Sequence, residues 1–250
     1  MSTGRLNGTV ALVTGASSGI GRQTGLALAA EGATVALLAR RLDRLEELVK
    51  TIAAAGGQAH AHAVDITDAE AVAAVVGAIG TQQGRIDVLV NNAGFLANTP
   101  AVDADLADWH RTIDVNVGGV LNVTHAALPY LLEAASGSRG VADIVTISSV
   151  AGRRVPSAAS NVYAASKHAV GAFAEALRQE MTSNQVRVGL IEPGVVYTEM
   201  TTGGSKGAPD ATTGNPLSPN DIADAIVYMV TRPPHAAVNE ILIRPTEQVR

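Results

Sequence analysis

Short apolar runs alternate with longer alanine-rich stretches along the chain. The runs are rich in Val, Leu and Ile and lie at 10–14, 34–38, 59–64, 88–91, 143–148, 187–192 and 240–243. Near-continuous apolar strands separated by helical segments are typical of a parallel sheet that is covered on both faces. The pattern therefore predicts one α/β domain over 1–250, built on a doubly wound parallel sheet of about seven strands with helices on both faces.

Helical periodicity predicts a helix from about 22 to 32 and two long helices, at about 106–135 and 161–183. Two segments interrupt this rhythm. The segment 135–141 is interpreted as a surface loop, and the segment at about 199–219, rich in Gly, Ser, Thr and Pro, as a mobile substrate loop.

Composition and charge narrow the classes of partner. The 250 residues carry a formal net charge of −5, without a Lys/Arg-rich run, which disfavours nucleic acid or an anionic membrane as partner. Zero cysteines exclude disulfides and thiolate metal sites, and the six histidines show no metal-ligand spacing, so we predict no metal. No stretch approaches the ~20 apolar residues that span a bilayer, and the first apolar run is too short for a secretion signal. We expect a cytoplasmic protein that acts on a small molecule.

A glycine-rich loop follows the first predicted strand and opens a helix. Residues 14–21 read Thr-Gly-Ala-Ser-Ser-Gly-Ile-Gly. Glycines allow the backbone to approach a pyrophosphate, and the helix N-terminus attracts its negative charge. A turn that simply requires glycine is the alternative. We predict dinucleotide binding by Gly15, Ser17, Ser18, Gly19, Ile20 and Gly21.

The end of the second strand carries Arg40 and Arg41, where an NAD site usually places a carboxylate for the ribose 2′-hydroxyl. Two guanidiniums can bind a 2′-phosphate, so NADP(H) is favoured as the cofactor, unless the arginines simply begin a solvated helix. After the third strand, Asp65 and Ile66 are expected to meet the adenine. Helix N-capping by Asp65 or Thr67 is an equally good interpretation.

Tyr163 and Lys167 are spaced by one helical turn and share a helix face. A neighbouring ammonium stabilises a phenolate and lowers the pKa of the phenol, so the pair can transfer protons. An exposed surface pair with no function is the alternative for this spacing alone.

Taken together, these motifs resemble those of the short-chain dehydrogenase/reductase family in its one-domain form. The chain also has Asn-Asn-Ala-Gly at 91–94, a helix asparagine at Asn116, Ser-Ser-x-Ala-Gly at 148–152 and Pro-Gly-x-x-x-Thr at 193–198. The resemblance covers nearly the whole chain and implies a Rossmann-like fold. The ending 239–246 is similar to a subgroup that includes clavulanic acid dehydrogenase and bacterial 3-hydroxy acid dehydrogenases, which does not fix the substrate.

The resemblance implies roles for four catalytic residues. Tyr163 would exchange a proton with the substrate oxygen, and Ser149 would hydrogen-bond that oxygen. Lys167 would lower the pKa of Tyr163 and hold the nicotinamide ribose, while Asn116 would order a water that leads to solvent. Ser149 lies one residue farther from Tyr163 than is usual in the family, so Ser148 is the alternative serine.

The resemblance also implies further cofactor contacts. The asparagine motif would pack on the ribose side, and the segment after the sixth strand would meet the carboxamide. The residues concerned are Asn91, Asn92, Ala93 and Gly94 in the first group and Pro193, Gly194, Val195 and Thr198 in the second. Family members are generally tetramers, so a homo-oligomer is expected.

The apolar candidates around the substrate are Phe95, Leu96, Ala151, Val155, Tyr197 and Met200. Arg153 and Arg154 could pair with a substrate carboxylate or simply face solvent. The leading hypothesis is an NADPH-dependent carbonyl reductase that also works as an alcohol dehydrogenase. The alternative is a non-catalytic NADP(H)-binding sensor or scaffold, and enoyl reduction is a third interpretation.

Overall fold

The computed structural model describes residues 4–204 and 214–249. Its centre is one sheet of seven parallel strands in the order β3-β2-β1-β4-β5-β6-β7. The strands are β1 Val10–Thr14, β2 Thr34–Ala39, β3 Gln58–Ala63, β4 Val88–Asn91, β5 Ala142–Ile147, β6 Val186–Pro193 and β7 Glu240–Ile243. The predicted doubly wound sheet is confirmed, and no strand boundary differs from its prediction by more than one residue.

Seven α-helices cover the two faces of the sheet within the described residues: α1 Gly19–Ala30, α2 Leu42–Ala54, α3 Ala69–Gln83, α4 Leu106–Ile113, α5 Gly119–Ala135, α6 Asn161–Met181 and α7 Pro219–Val230. Apolar side chains of α1, α2 and α7 share one buried cluster, and those of α3, α5 and α6 share another. In the part of the chain that is described, no helix has the length and apolar character needed to cross a membrane.

The central strand β1 shows how one sequence fills both cores. Ala11 and Val13 belong to the cluster beneath α1, α2 and α7, while Leu12 belongs to the opposite cluster. Successive side chains of a strand point to opposite faces, so a strand that is buried on both sides needs an apolar residue at every position. This requirement explains the continuous apolar runs in the sequence.

The helix predictions need three adjustments. Helix α1 begins at Gly19, three residues before the predicted start, because the last glycines of the loop already form its first turn. The predicted helix at 106–135 is interrupted by a π-helical turn at Asp114–Gly118 between α4 and α5. The third predicted helix, at 161–183, corresponds to α6 followed by the first part of a 3-10 turn at Thr182–Asn184.

The structure describes one of the two predicted loops completely and the other only in part. The segment 135–141 connects the end of α5 to β5, as expected for a loop. Part of the segment 199–219 cannot be compared with its prediction, since residues 205–213 lie outside the described residues. Its mobility therefore stays a prediction, as does the single domain over 1–250.

A buried ion cluster fixes the start of β5 to its neighbours. The Asp143 carboxylate accepts hydrogen bonds from Arg187 Nε at 2.8 Å and from Arg139 Nη2 at 2.6 Å. Its side chain is 5% exposed. Both guanidiniums also donate to the carbonyl of Val230 at the end of α7. The cluster thus joins β5, β6 and α7.

We expect Asp143→Ala to lower the free energy of unfolding by about 3–5 kcal/mol, since it leaves two guanidiniums without their buried counter-ion. Urea unfolding followed by circular dichroism measures this loss. The matched control is Glu175→Ala, which breaks the exposed ion pair with Arg178. A loss no larger than that of the control would show that the Asp143 cluster does not stabilise the fold.

Candidate active site

The carboxyl ends of the seven strands meet at one edge of the sheet, and the strand order reverses between β1 and β4. Ligands of open α/β sheets bind in the crevice at such a reversal. A cleft of about 510 Å³ lies there. The predicted residues that line it are Gly15, Ser17, Ser18, Gly19, Ile20, Arg40, Arg41, Asp65, Ile66, Asn92, Ala93, Gly94, Ser149, Tyr163, Lys167, Pro193, Gly194 and Thr198.

The glycine loop packs so closely on the end of β4 that larger residues do not fit. A Cβ on Gly15, whose φ is +65°, would lie 2.8 Å from the Ala93 Cα. A Cβ on Gly21 would lie 2.4 Å from the Asn92 Nδ2. Gly21 was predicted to bind the cofactor, but among the described residues that line the cleft it does not occur. Its absent side chain instead permits close packing beneath the loop.

Thr14, at the end of β1, connects the loop to the Asn-Asn-Ala-Gly segment. Its Oγ1 accepts hydrogen bonds from the backbone N–H groups of Asn92 at 2.9 Å and Ala93 at 3.0 Å. Asn91, which was expected on the ribose side, is buried, and its Nδ2 donates to Thr124 Oγ1 at 2.9 Å. Asn92 is the asparagine that faces the cleft.

The two arginines after β2 stand at one end of the cleft, each beside a carboxylate. Arg40 Nη1 lies 3.8 Å from Asp65 Oδ2. Arg41 Nη2 lies 3.0 Å from Glu199 Oε2, and the same nitrogen lies 3.1 Å from Ser17 Oγ. This end of the cleft therefore combines guanidiniums with the loop that leads into α1, whose first turn carries no acidic residue in the described helix.

Asp65 does not cap the following helix. Its Oδ1 accepts from the Thr67 N–H at 3.0 Å and the Thr67 hydroxyl at 2.8 Å, while Asp68 is the N-cap of α3 and accepts from Ala71 N–H. Partial burial raises the pKa of Asp65, but these hydrogen bonds and the charges of Arg40 and Arg111 outweigh it, so the pKa lies below its usual value. Asp65 is therefore an ionised acceptor at the cleft.

Elsewhere in the cleft, Ser149, Tyr163 and Lys167 line the wall together, and the Ser149 side chain acts to lower the pKa of Tyr163. Lys167 is buried, and its ammonium donates to the Ile147 carbonyl at 2.8 Å, while it lies 5.8 Å from the centre of the Tyr163 ring. Ser148 also lines the cleft, but its Oγ donates to the Lys167 carbonyl at 3.4 Å. The structure thus brings Ser149, and not Ser148, together with Tyr163.

The pKa of Tyr163 differs from the sequence-based expectation. Burial raises it, and the hydrogen bond with Ser149 lowers it by less, so that the phenol is a weaker acid than a free tyrosine. Burial also lowers the pKa of Lys167 to about 8. The direction for Tyr163 is opposite to the lowering expected from the ammonium, because burial disfavours the charged form of each group.

Asn116 lies in the π-helical turn and is buried behind the cleft. Its Oδ1 accepts from Phe95 N–H at 2.7 Å, and its Nδ2 donates to the Phe95 carbonyl at 2.9 Å and to Ser166 Oγ at 3.0 Å. Ser166 in turn donates to the Tyr163 carbonyl. The Asn116 side chain thus ties the chain after β4 to the helix that carries Tyr163.

Val195, like Gly21 and Asn91, is a predicted cofactor residue that does not occur among the described residues that line the cleft. Its N–H donates to Gln248 Oε1 at 2.9 Å, and its carbonyl accepts from Leu217 N–H at 2.9 Å. Among the described residues that line the cleft, Val196 occurs and Val195 does not. A Cβ on Gly194 would lie 2.1 Å from Gln248 Oε1, so the C-terminal segment determines which backbone groups of this turn stay available.

The arginines after Ser149 are not arranged around a substrate. Arg153 forms ion pairs with the buried Glu192 at 2.7 Å and with Glu240, and these hydrogen bonds raise the pKa of Arg153. Arg154 is exposed. Neither arginine occurs among the described residues that line the cleft, and the ion pairs of Arg153 connect β6 and β7.

The apolar candidates divide in a similar way. Phe95 and Met200 line the cleft, whereas Leu96 and Ala151 are buried and Val155 and Tyr197 are largely exposed. Sequence reasoning missed two charged lining residues, Arg111 and Glu199. Arg111 stacks on the Phe95 ring, with its Cζ 4.1 Å from the ring centre. Arg111 had no local motif that could have revealed it, whereas Glu199 directly follows the Pro-Gly-x-x-x-Thr motif at 193–198.

A doubly wound sheet with a glycine loop at its switch point, and a serine, tyrosine and lysine in the same cleft, defines an oxidoreductase that uses a dinucleotide. Residues 9–208 match the family model of the short chain dehydrogenases. The chain belongs to this family.

Three relatives illustrate the relationship. Sulfoacetaldehyde reductase 2 of Chromohalobacter salexigens is 41% identical over 245 residues, covering 96% of this chain and 95% of that protein. Serine 3-dehydrogenase of Agrobacterium fabrum is 38% identical over 250 residues, covering 97% and 96%. The solved closed form of a serine dehydrogenase complexed with NADP⁺ superimposes with a TM-score of 0.86 at 31% identity, covering 97% of each chain.

The buried Lys167 predicts a pH-dependent stability. Because burial lowers its pKa from 10.5 to about 8, the folded state disfavours the ammonium. The resulting penalty of about 3 kcal/mol in the free energy of unfolding is full below pH 8 and is lost as the pH rises to 10.5. Lys167→Met should therefore be stabilised relative to wild type near pH 7 and lose that advantage towards pH 10.5.

Urea unfolding of wild type, Lys167→Met and Lys50→Met between pH 7 and 10.5 measures this difference. Lys50 is exposed on α2 and provides the matched control. If the difference between Lys167→Met and wild type stays constant over this range, the lysine is not desolvated in the folded protein.

Proposed function

We propose that this protein is an NADPH-dependent carbonyl reductase that also oxidises the corresponding alcohol, with Tyr163 as general acid and base. The observation that carries the proposal is that Ser149, Tyr163 and the buried Lys167 line the same cleft as Arg40 and Arg41. A single cleft thus combines a proton-transfer group with a site for a phosphorylated ribose.

Three observations support NADP(H) as the cofactor. Gly15, Ser17, Ser18 and Gly19 line the cleft at the start of α1, whose first turn carries no acidic residue, as a bound pyrophosphate would require. Arg40 and Arg41 present two guanidiniums, which suit a 2′-phosphate. The serine dehydrogenase with a TM-score of 0.86 was solved with NADP⁺ bound.

When bound, NADPH supplies the hydride that reduces a carbonyl carbon. Ser149 orients the carbonyl oxygen by a hydrogen bond, and Tyr163 donates its phenolic proton to that oxygen. The high pKa of Tyr163 keeps the proton in place until negative charge develops on the oxygen. The ammonium of Lys167 then stabilises the phenolate that remains. In the oxidative direction, Tyr163 takes the proton from the alcohol.

The geometry supports a substrate of modest size, since Phe95 and Met200 are apolar neighbours of the cleft. The relatives named for sulfoacetaldehyde and serine make these two compounds the first to test. We further propose that the protein works in the cytoplasm as one domain per chain, and as a homo-oligomer. Leu106, Ile113 and Leu121 leave apolar surface exposed on α4 and α5, as an interface between copies would require.

Turnover separates the two serines and tests the role of Tyr163. NADPH oxidation at 340 nm is followed with sulfoacetaldehyde and with a panel of ketones, aldehydes and 3-oxo acids. Ser149→Ala and Tyr163→Phe should each lower kcat by about 10²-fold or more, because each removes a group that touches the reacting oxygen. Ser148→Ala is the matched control and should retain most of the activity.

Equal loss in Ser148→Ala would reverse the assignment of the serines. Absence of turnover by wild type with every substrate, together with tight NADPH binding, would instead favour the non-catalytic sensor.

The pKa directions predict opposite pH dependence for the two directions of reaction. Oxidation requires the Tyr163 phenolate, and because burial raises the pKa of Tyr163, kcat/KM for the alcohol should rise with pH from 7 to 9. Reduction requires the phenol and the ammonium of Lys167. Its kcat/KM should therefore be level from pH 6 to 7 and fall above about 8, where Lys167 loses its proton. Initial rates in both directions provide the test, and an oxidation rate independent of pH from 7 to 9 would contradict the role of Tyr163.

A further inference from the structure

Glu199 is an acidic residue at the end of the cleft where a phosphate is proposed to bind. Its Oε2 lies 3.0 Å from Arg41 Nη2, and both side chains remain about half exposed. The same Nη2 lies 3.1 Å from Ser17 Oγ, and Arg41 Nε lies 3.2 Å from that oxygen. The guanidinium edge that faces the glycine loop is therefore shared between Ser17 and the Glu199 carboxylate.

Glu199 does not reach Arg41 from a loose segment. The preceding Thr198 packs on the loop, since a Cβ on Gly19 would lie 3.2 Å from Thr198 Cγ2. Thr201 Oγ1 donates to the Val196 carbonyl and accepts from Thr198 N–H at 3.0 Å. Thr202 Oγ1 donates to the Thr198 carbonyl at 2.9 Å. These hydrogen bonds fix the turn that holds the carboxylate beside Arg41.

We infer that Glu199 competes with the 2′-phosphate of NADP(H) for Arg41 and so limits the preference of the protein for NADP(H) over NAD(H). The inference rests on the proposed function, because it requires the 2′-phosphate to bind at Arg40 and Arg41. A phosphate that pairs with the shared edge of Arg41 must displace Glu199, or else lie beside its negative charge. NAD(H) carries no phosphate there and leaves the ion pair intact.

Arg40 does not experience the same competition. Its closest carboxylate, Asp65, lies 3.8 Å away and is held by two hydrogen bonds from Thr67. The acceptor capacity of Asp65 is thus partly used by its own turn. When a 2′-phosphate binds, Arg41 must exchange its ion pair with Glu199 for one with the phosphate. Glu199 therefore determines how easily this exchange occurs.

The test is the affinity of Glu199→Gln for two pairs of ligands that differ by one phosphate. The dissociation constants of NADPH and NADH, and of 2′,5′-ADP and 5′-AMP, are measured by titration calorimetry. We expect Glu199→Gln to bind NADPH and 2′,5′-ADP about 3- to 10-fold more tightly, and NADH and 5′-AMP within about 2-fold of wild type. Higher salt should reduce the gain, because both charges are exposed to solvent.

Two further variants distinguish competition from other effects. Glu175→Gln removes the same charge from an exposed ion pair with Arg178 on α6, at a site away from the cleft, and should leave all four constants unchanged. In an Arg41→Gln background, Glu199→Gln should gain less than about 2-fold, because the contested guanidinium is gone. A full gain in that background would show direct repulsion and would overturn the competition.

The remaining outcomes are also decisive. Weaker NADPH binding by Glu199→Gln would mean that the carboxylate orients Arg41 for the phosphate, which overturns the inference. An equal change for phosphorylated and unphosphorylated ligands would assign Glu199 a structural role only. If wild type shows no preference for 2′,5′-ADP over 5′-AMP, the proposed 2′-phosphate site itself fails. If wild type shows a preference that Glu199→Gln leaves unchanged, only the inference about Glu199 fails.

Discussion

Parallel pairing of all seven strands is the constraint on which the site depends. It places every carboxyl end of a strand at one edge of the sheet, and the order reverses between β1 and β4. Neighbouring connections diverge at that reversal, so a crevice forms that the backbone leaves open. Thr14 holds the two sides of the crevice in register by accepting from the N–H groups of Asn92 and Ala93. The cleft is therefore a consequence of topology, and its side chains supply the chemistry.

Burial is the second constraint, and it acts on the two groups that we propose take part in proton transfer. It raises the pKa of Tyr163 and lowers that of Lys167, so desolvation disfavours the charged form of each. The Ile147 carbonyl stabilises the ammonium by a hydrogen bond, and Ser149 stabilises the phenolate form. A bound cofactor carries its own polar groups into this end of the cleft. The protonation of the pair is thus coupled to occupancy of the site as well as to pH.

The sequence was sufficient for those features that short segments determine. Buried parallel strands require continuous apolar runs, and a turn such as that at Gly15 requires glycine, so the sheet and the loop could be predicted. The hydrogen bond from Val195 N–H to Gln248, a residue near the C-terminus, could not be predicted from the motif that contains Val195. The role of Arg153 could not be decided from the sequence, because its partners, Glu192 and Glu240, lie on two other strands. Contacts between distant segments carry no local pattern that could have revealed them.

The difference between local and distant contacts also explains the charges around the proposed phosphate site. Three guanidiniums, of Arg40, Arg41 and Arg111, line one cleft and would repel one another without counter-ions. Asp65 and Glu199 supply negative charge, but from different kinds of position. Asp65 is fixed by its own turn, whereas Glu199 belongs to a segment that crosses from β6. An exposed ion pair contributes little to stability, so its exchange for a phosphate perturbs the fold little and acts mainly on the choice of ligand.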